Sequence, residues 1–250
     1  MKLFKIFLLM FSLMLSASAQ KPKDVATGGV RAQKSAEIVR QFAALGADSV
    51  PLEYLQKARA VAVFPGLKKI NILLSELIIG NGIVALRNGD DWSAPFFLAF
   101  KGTDINFGIA GKKSFDTVFL FMDDESIGWL KKGDIGFNTD SKTKASLGPV
   151  IGGKGADRTI QEANLIYYTF DKGQLVDTNL SNDTFFKGFV IFHDNNLNKA
   201  IFGIKTKALL VAPETNIKVP DEIEKFRGAL KEIDAKKAAS EKKVETIVNK

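Results

Sequence analysis

The stretch "ALRNGDDWSAPFFLAF", residues 85–100, decides the fold class. Asn88-Gly89 stands between two apolar runs, and Asn-Gly is the pair that most readily adopts the positive backbone angles of a tight hairpin turn. The flanking residues therefore read as paired antiparallel strands. Outward from this hairpin, β signals recur. "RAVAVFPG" (59–66) is short, apolar and valine-rich, as a buried strand is. "DINFGIAG" (104–111) alternates Ile105, Phe107 and Ile109 with Asp104, Asn106 and Gly108. "FDTVFLFMD" (115–123) is apolar on nearly both faces, the pattern of a central strand. "NLIYYTFDKGQLVDTNL" (164–180) predicts a second hairpin turning at Lys172-Gly173, and "GFVIFHD" (188–194) another buried strand.

Helical signals bracket these strands. "SAEIVRQFAALG" (35–46) places Ile38, Val39, Phe42 and Leu45 on one helical face, with Gly46 as C-cap. "VPLEYLQKA" (50–58) predicts a short helix opening at Pro51. "DDESIGWLKKG" (123–133) predicts another, capped by Asp123 or Asp124 and ended by Gly133. Beyond "VAPETNIKVP" (211–220) the chain becomes charged and poor in aromatics. Ile223, Phe226, Leu230 and Ile233 form one stripe, which Val244 and Ile247 resume past Lys237 and Ser240. This predicts a terminal amphipathic helix that docks along its first half and frays along its second. No internal repeat is evident. The expected class is α+β: N-terminal helices, a strongly curved, mostly antiparallel β-sheet or barrel, and a C-terminal amphipathic helix.

The first residues, "MKLFKIFLLMFSLMLSASAQ", carry Lys2 and Lys5, an apolar run from Ile6 to Leu15, and Ala17-Ser18-Ala19. That is the three-part pattern of a secretory signal peptide cleaved after Ala19. The run is shorter than the roughly 20 residues that span a bilayer. The expected organisation is a signal peptide over 1–19, a domain over 20–211, and a linker with a charged helix over 212–250. The expected location is periplasmic or secreted. With no cysteine, disulfides and thiolate chemistry are excluded, and so is a lipoprotein anchor. The chain carries 35 basic and 28 acidic residues; losing Lys2 and Lys5 leaves a net charge of +5, which permits attraction to anionic surfaces without demanding it.

Several motifs resemble chemistry and fall short of it. "GPVIGGKG" (148–155) matches G-x-x-x-x-G-K, but position 155 is Gly where a P-loop needs Ser or Thr, and Pro149 removes an amide. The preceding "DSKTKASL" is polar and not strand-like, so a tight turn is expected there rather than a nucleotide site. His193 is the only histidine, and no G-x-S-x-G elbow accompanies it. A strand-end histidine touching solvent or a backbone carbonyl is the expectation. Asp90-Asp91 and Asp123-Asp124-Glu125 read as hairpin turn and helix cap, because adjacent side chains point apart. Asn179 and Asn182 open glycosylation sequons that carry no weight. The 17 phenylalanines beyond residue 19 read as core, with a lipid pocket as the alternative. No catalytic residue, metal, cofactor or nucleic-acid partner is expected.

The basic residues form the candidate site. Lys21, Lys23, Arg31, Lys34 and Arg40 cluster near the mature N-terminus, and Lys57, Arg59, Lys68 and Lys69 follow. Arg31 and Lys34 share a helix face outside the apolar stripe. Near an anionic bilayer each such charge contributes about 1 kcal/mol, screened by salt. The alternative is an ordinary solvated face.

Five segments, in order, resemble the landmarks of the SYLF domain family: "VPLEYLQKARAVAVFPGLKK", "DDWSAPFFLAFKGTDINFGIAGKKSFDTVFLFM", "LGPVIGGKG", "NLIYYTFDKGQL" and "NNLNKAIFG". The similarity runs from about Ser35 to Leu210. Ala-Val-Phe-Pro and Trp92-Ser93-Ala94-Pro95 are its most specific pieces. Two departures stand out. "INILLSELIIGNG" (70–82) keeps only Gly80 and Gly82 of a glycine-rich run, and Asp140-Ser141-Lys142 replaces an expected Gly-Ala-Asp turn. The resemblance implies a non-enzymatic module that associates with membrane lipids, and with actin in some eukaryotic members. For an exported chain, what transfers is affinity for anionic phospholipid. The alternatives are a protein-interaction or envelope-assembly module using the C-terminal helix, and a hydrolase with an unrecognised site.

Overall fold

Apolar residues at both parities of the central strands leave a sheet with two faces to bury, and both are covered. The computed structural model describes residues 22–45, 52–72, 75–103, 113–137, 145–148, 163–176, 189–211 and 217–248. The helices are α1 (Pro22–Ala44), α2 (Leu52–Lys57), α3 (Asp124–Lys132), α4 (Asn195–Phe202), α5 (Thr206–Leu209) and α6 (Asp221–Val248). The strands are β1 (Ala60–Ile72), β2 (Ser75–Asn88), β3 (Asp91–Trp92), β4 (Phe96–Thr103), β5 (Ser114–Phe121), β6 (Asp134–Phe137), β7 (Ala145–Leu147), β8 (Leu165–Asp171), β9 (Gln174–Leu175) and β10 (Phe189–His193). The signal-peptide pattern, Lys21, Gly46, Pro51, the 104–111 strand, Asp140-Ser141-Lys142, residues 149–155, the sequons and the side chains of Val244 and Ile247 lie outside the described residues.

Eight strands pair in the order β6-β10-β4-β2-β1-β5-β8-β7, with β3 on β2 and β9 on β8. Among the described residues only β7 and β8 pair in parallel; the other pairs are antiparallel. Among the described residues β6 and β7 remain two edges, so the sheet does not close into a barrel. It is nonetheless strongly curved. Four interstrand steps separate β10 from β5, about 19 Å if the sheet were flat. Yet the Phe119 and Phe189 rings lie 6.0 Å apart, and Phe100 stacks on Phe189 at 5.1 Å. Phe64 meets Phe100 and Phe119 edge-on, both at 5.6 Å. The concave face is thus an aromatic interior, completed by Tyr167, Leu67 and Ile78.

Both predicted hairpins form. Gly89 takes φ 59° between Asn88 and Asp91, which are paired. Lys172 and Gly173 take φ 49° and 78°, the signature of a type I′ turn. α3 has the predicted cap: Asp123 accepts from Ser126 N (2.8 Å), and Gly133 closes the helix at φ 82°.

The convex face carries Val61, Val63, Ile83, Phe97, Leu120 and Tyr168 against α1, α4 and α6. α1 begins well before the apolar stripe, running through Gly28 and Gly29, which helix propensity disfavours. The reason is packing. A Cβ on Gly28 would lie 2.7 Å from Ile201 Cδ1 and 2.9 Å from Ile223 Cδ1, and one on Gly29 2.7 Å from Glu222 Cβ. Farther along both helices, Arg40 grips Glu232 with two bonds of 2.8 Å, so α1 and α6 run parallel. α6 sinks Ile223, Phe226, Ala229 and Leu230 into the convex core. Its Asp234 accepts from Trp92 Nε1 (2.8 Å) and from both terminal nitrogens of Arg87, whose guanidinium lies 4.2 Å over the Trp92 ring. The helix set apart after residue 211 in the sequence therefore fills the domain's own core.

Phe226 is fully buried between α6 and the sheet. Phe226→Ala is expected to cost about 3–5 kcal/mol in urea unfolding. Truncation after Lys218, which removes the whole of α6, is expected to abolish cooperative unfolding.

Candidate functional site

Residues Phe64 to Leu67 shift the register of β1 against both neighbours: between Val63 and Lys68 on the β2 side, and between Phe64 and Leu67 on the β5 side. Pro65 has no N–H to give a ladder, and Gly66 takes φ 65° while donating its N–H to Asp116 Oδ1 (2.7 Å). An irregularity of this kind swaps the faces of everything downstream. Before it, Val61 and Val63 face the helices; after it, Lys68 does, opposite Ile79.

The register then lays out rows of side chains across the convex face, beyond the cover of α1. One row is Asn81, Ala99 and Phe192. The next is Lys68, Ile79, Lys101 and Val190. The last is Ile70, Leu77 and Thr103. Ile72, Ile70 and Phe192 are 48 %, 39 % and 39 % exposed, and Val30 on the facing side of α1 is 58 % exposed. Lys34, Lys68 and Lys101 are exposed and make no ion pair among the described residues. Between α1 and these rows lies an open groove of about 560 Å³. Exposed apolar side chains and unpaired lysines thus share this convex end of the sheet.

The eight basic candidates within the described residues divide accordingly. Arg31, Lys34 and Lys68 converge on the groove. Lys23 is exposed on the first turn of α1. Arg40 pairs with Glu232, Lys57 with Glu53 (2.9 Å), Arg59 with Asp124 (2.6 Å) and Lys69 with Glu76 (2.6 Å). Lys69 opposes Ile78 and so lies on the other side of the sheet from Lys68. Arg31 does not share an open helix face with Lys34. Its side chain is 13 % exposed, lies over the Phe97 ring at 5.3 Å and reaches Asp194 at 3.5 Å. Burial holds its pKa below the usual value despite Asp194. Lys101 escaped the sequence reading. Its signal was the Lys101 alternation beyond "FFLAF", but only strand register shows which lysines it joins.

The other singled-out residues have structural work. His193 is 6 % exposed, and its Nε2–H donates to the Leu130 carbonyl at 2.8 Å. Burial pushes its pKa below 6.5; the carbonyl bond opposes this and Lys207 adds to it. Asp194 caps α4 through Leu197 N (3.1 Å). Asp123 caps α3, and Asp91 pairs with Lys231. Among the described residues no three potential ligands gather as a metal site would. A three-residue strand, β7, does precede Gly148, contrary to expectation. Gly148 spends its N–H on the Tyr167 carbonyl (2.9 Å). Asn198, inside the "NNLNKAIFG" landmark, is buried; its amide exchanges bonds of 2.7 and 2.9 Å with the backbone of Phe97.

The Ysc84 family model, described as Las17-binding protein actin regulator, matches residues 104–233, just over half of the chain. The chain belongs to this family, the SYLF domain family, and is a binding module of that kind. The match extends through the first half of α6. No match was found among curated proteins. Among the described residues no helix is long and apolar enough to cross a membrane.

His193 gives a pH dependence. Its folded pKa is lowered, so the unfolded chain binds the proton more readily, and stability falls as pH drops from 6.5 through the folded value. Urea midpoints at pH 7.5 and 5.5 should show a larger acid-side loss for the wild type than for His193→Gln.

Proposed function

We propose that this chain is an exported, non-enzymatic module that associates reversibly with anionic phospholipid surfaces. The observation that carries this reading is the convex end of the sheet, where Val30, Ile70, Ile72 and Phe192 are exposed beside Lys34, Lys68 and Lys101. The apolar residues enter the boundary between headgroups and chains, and the lysines meet the phosphates. Lys23, on the same helix as Lys34, adds to the field. Arg40, Lys57, Arg59 and Lys69, each bound to a carboxylate, contribute little. The N-terminal pattern supports export, which places an outer or periplasmic membrane face within reach. The family's description supports binding as the activity. A protein partner at the C-terminal helix is the weaker reading, because Ile223, Phe226 and Leu230 are already consumed in the core.

Flotation with vesicles tests it. Protein should float with vesicles containing phosphatidylglycerol, not with pure phosphatidylcholine, and less at high salt. Lys34→Gln, Lys68→Gln and Lys101→Gln together should weaken binding about 100-fold at low salt, at about 1 kcal/mol per lysine. Lys57→Gln with Arg59→Gln should change it less than threefold. Equal flotation with both vesicle types, or an unaffected triple variant, would overturn the proposal.

A further inference from the structure

Arg31 is nearly enclosed, yet its five N–H donors are poorly filled. Among the described residues its one carboxylate bond is that to Asp194, long at 3.5 Å. A buried charge with unfilled donors is costly, and a second carboxylate oxygen pair is the partner a guanidinium fork takes best. Arg31 opens onto the 560 Å³ groove, within the roughly 300–1,000 Å³ typical of ligand sites. Asp194 does not line this groove; with Asp24 it faces a neighbouring one, which Arg31 also lines. The groove's remaining polar charges, Lys34, Lys68 and Lys101, are all cationic. Its floor is apolar, from Val30, Ile79 and Phe192.

We infer that this groove binds a single-chain amphiphilic anion, a free long-chain carboxylate, with its head on Arg31 and its chain along Val30, Ile79 and Phe192. Charge complementarity selects the anion, and the floor selects an alkyl chain. A methylene is close in size to a water molecule, whose share of liquid volume is about 30 Å³, so the groove has room for on the order of twenty such units. That is one chain rather than the two of a bilayer phospholipid. The inference rests on reading this face as lipid-facing and adds a discrete site to it.

The test is titration of the full mature chain with a fluorescent polyene fatty-acid anion below its aggregation threshold, beside the corresponding alcohol. Saturable one-to-one binding is expected, at least tenfold weaker for the alcohol. Arg31→Met should weaken binding at least tenfold. Asn81→Trp should do the same by filling the groove from an exposed position in the Phe192 row, without touching the core. Equal affinity for the alcohol, or wild-type affinity in a folded Asn81→Trp, overturns the inference. Vesicle flotation without binding of the free anion overturns it too and leaves the membrane reading standing; binding of the free anion without flotation does the reverse.

Discussion

The kink of β1 at Phe64-Pro65-Gly66 is the constraint on which the rest depends. Proline removes a ladder donor, glycine takes the left-handed angle, and Asp116 receives the freed N–H from the neighbouring strand. The strand bends there, which helps curl the sheet until Phe64, Phe100, Phe119 and Phe189 share one interior. The same residues swap the faces of β1 downstream. Without that swap Lys68, Ile70 and Ile72 would lie on the concave side, where Lys69 now sits paired with Glu76. With it they emerge on the convex side beyond α1. One local irregularity thus both closes the core and turns Lys68, Ile70 and Ile72 to the convex face.

The two glycines retained in the 70–82 stretch serve the same bend. A Cβ on Gly82 would lie 2.6 Å from the Phe64 ring, and one on Gly80 2.5 Å from Leu67 Cδ2. These side chains fold across β2 from either side of the kink, and only glycine leaves them room. The retained glycines therefore belong to the packing of the concave face, and the groove's cationic rim is built by side chains on other residues. A parallel logic governs the convex side, where Gly28 and Gly29 let α6 approach α1. Sheet and helices are each brought close by an absent side chain: the neighbours are Leu67 and Phe64 of the adjacent strand in one case, and Ile201, Ile223 and Glu222 from far along the chain in the other.

Much of the architecture was legible because it is encoded locally. Asn88-Gly89 and Lys172-Gly173 announce turns, Asp123 and Gly133 announce a helix, and Ile223, Phe226 and Leu230 announce a docked face. What was not legible depends on tertiary neighbours. Gly28 and Gly29 discourage a helix on propensity alone, so the true start of α1 was hidden. Ala145–Leu147 has no strand signal of its own and pairs only because β8 offers an open edge. The candidate site was legible as a list of lysines and arginines but not as a surface. Charge in sequence says nothing about which cations meet a carboxylate: Arg40 and Glu232 lie far apart along the chain, and Lys68 and Lys69, though adjacent, lie on opposite sides of the sheet. Lys101 joined the site only through its register opposite Ile79.

The composition of that surface also sets how such a module would hold a membrane. Fully burying a side chain of the size of Val, Ile or Phe is worth about 1.5–3 kcal/mol, and the four exposed here have roughly half of their surface left to bury, so each supplies about 1 kcal/mol. The three unpaired lysines supply about 1 kcal/mol each near an anionic surface. Neither set alone covers the cost of giving up free translation and rotation. Together they reach a range where binding is appreciable and reversible. A neutral bilayer offers only the first contribution and a soluble polyanion only the second, so selectivity for anionic lipid arises from the sum and requires no recognition of a particular headgroup.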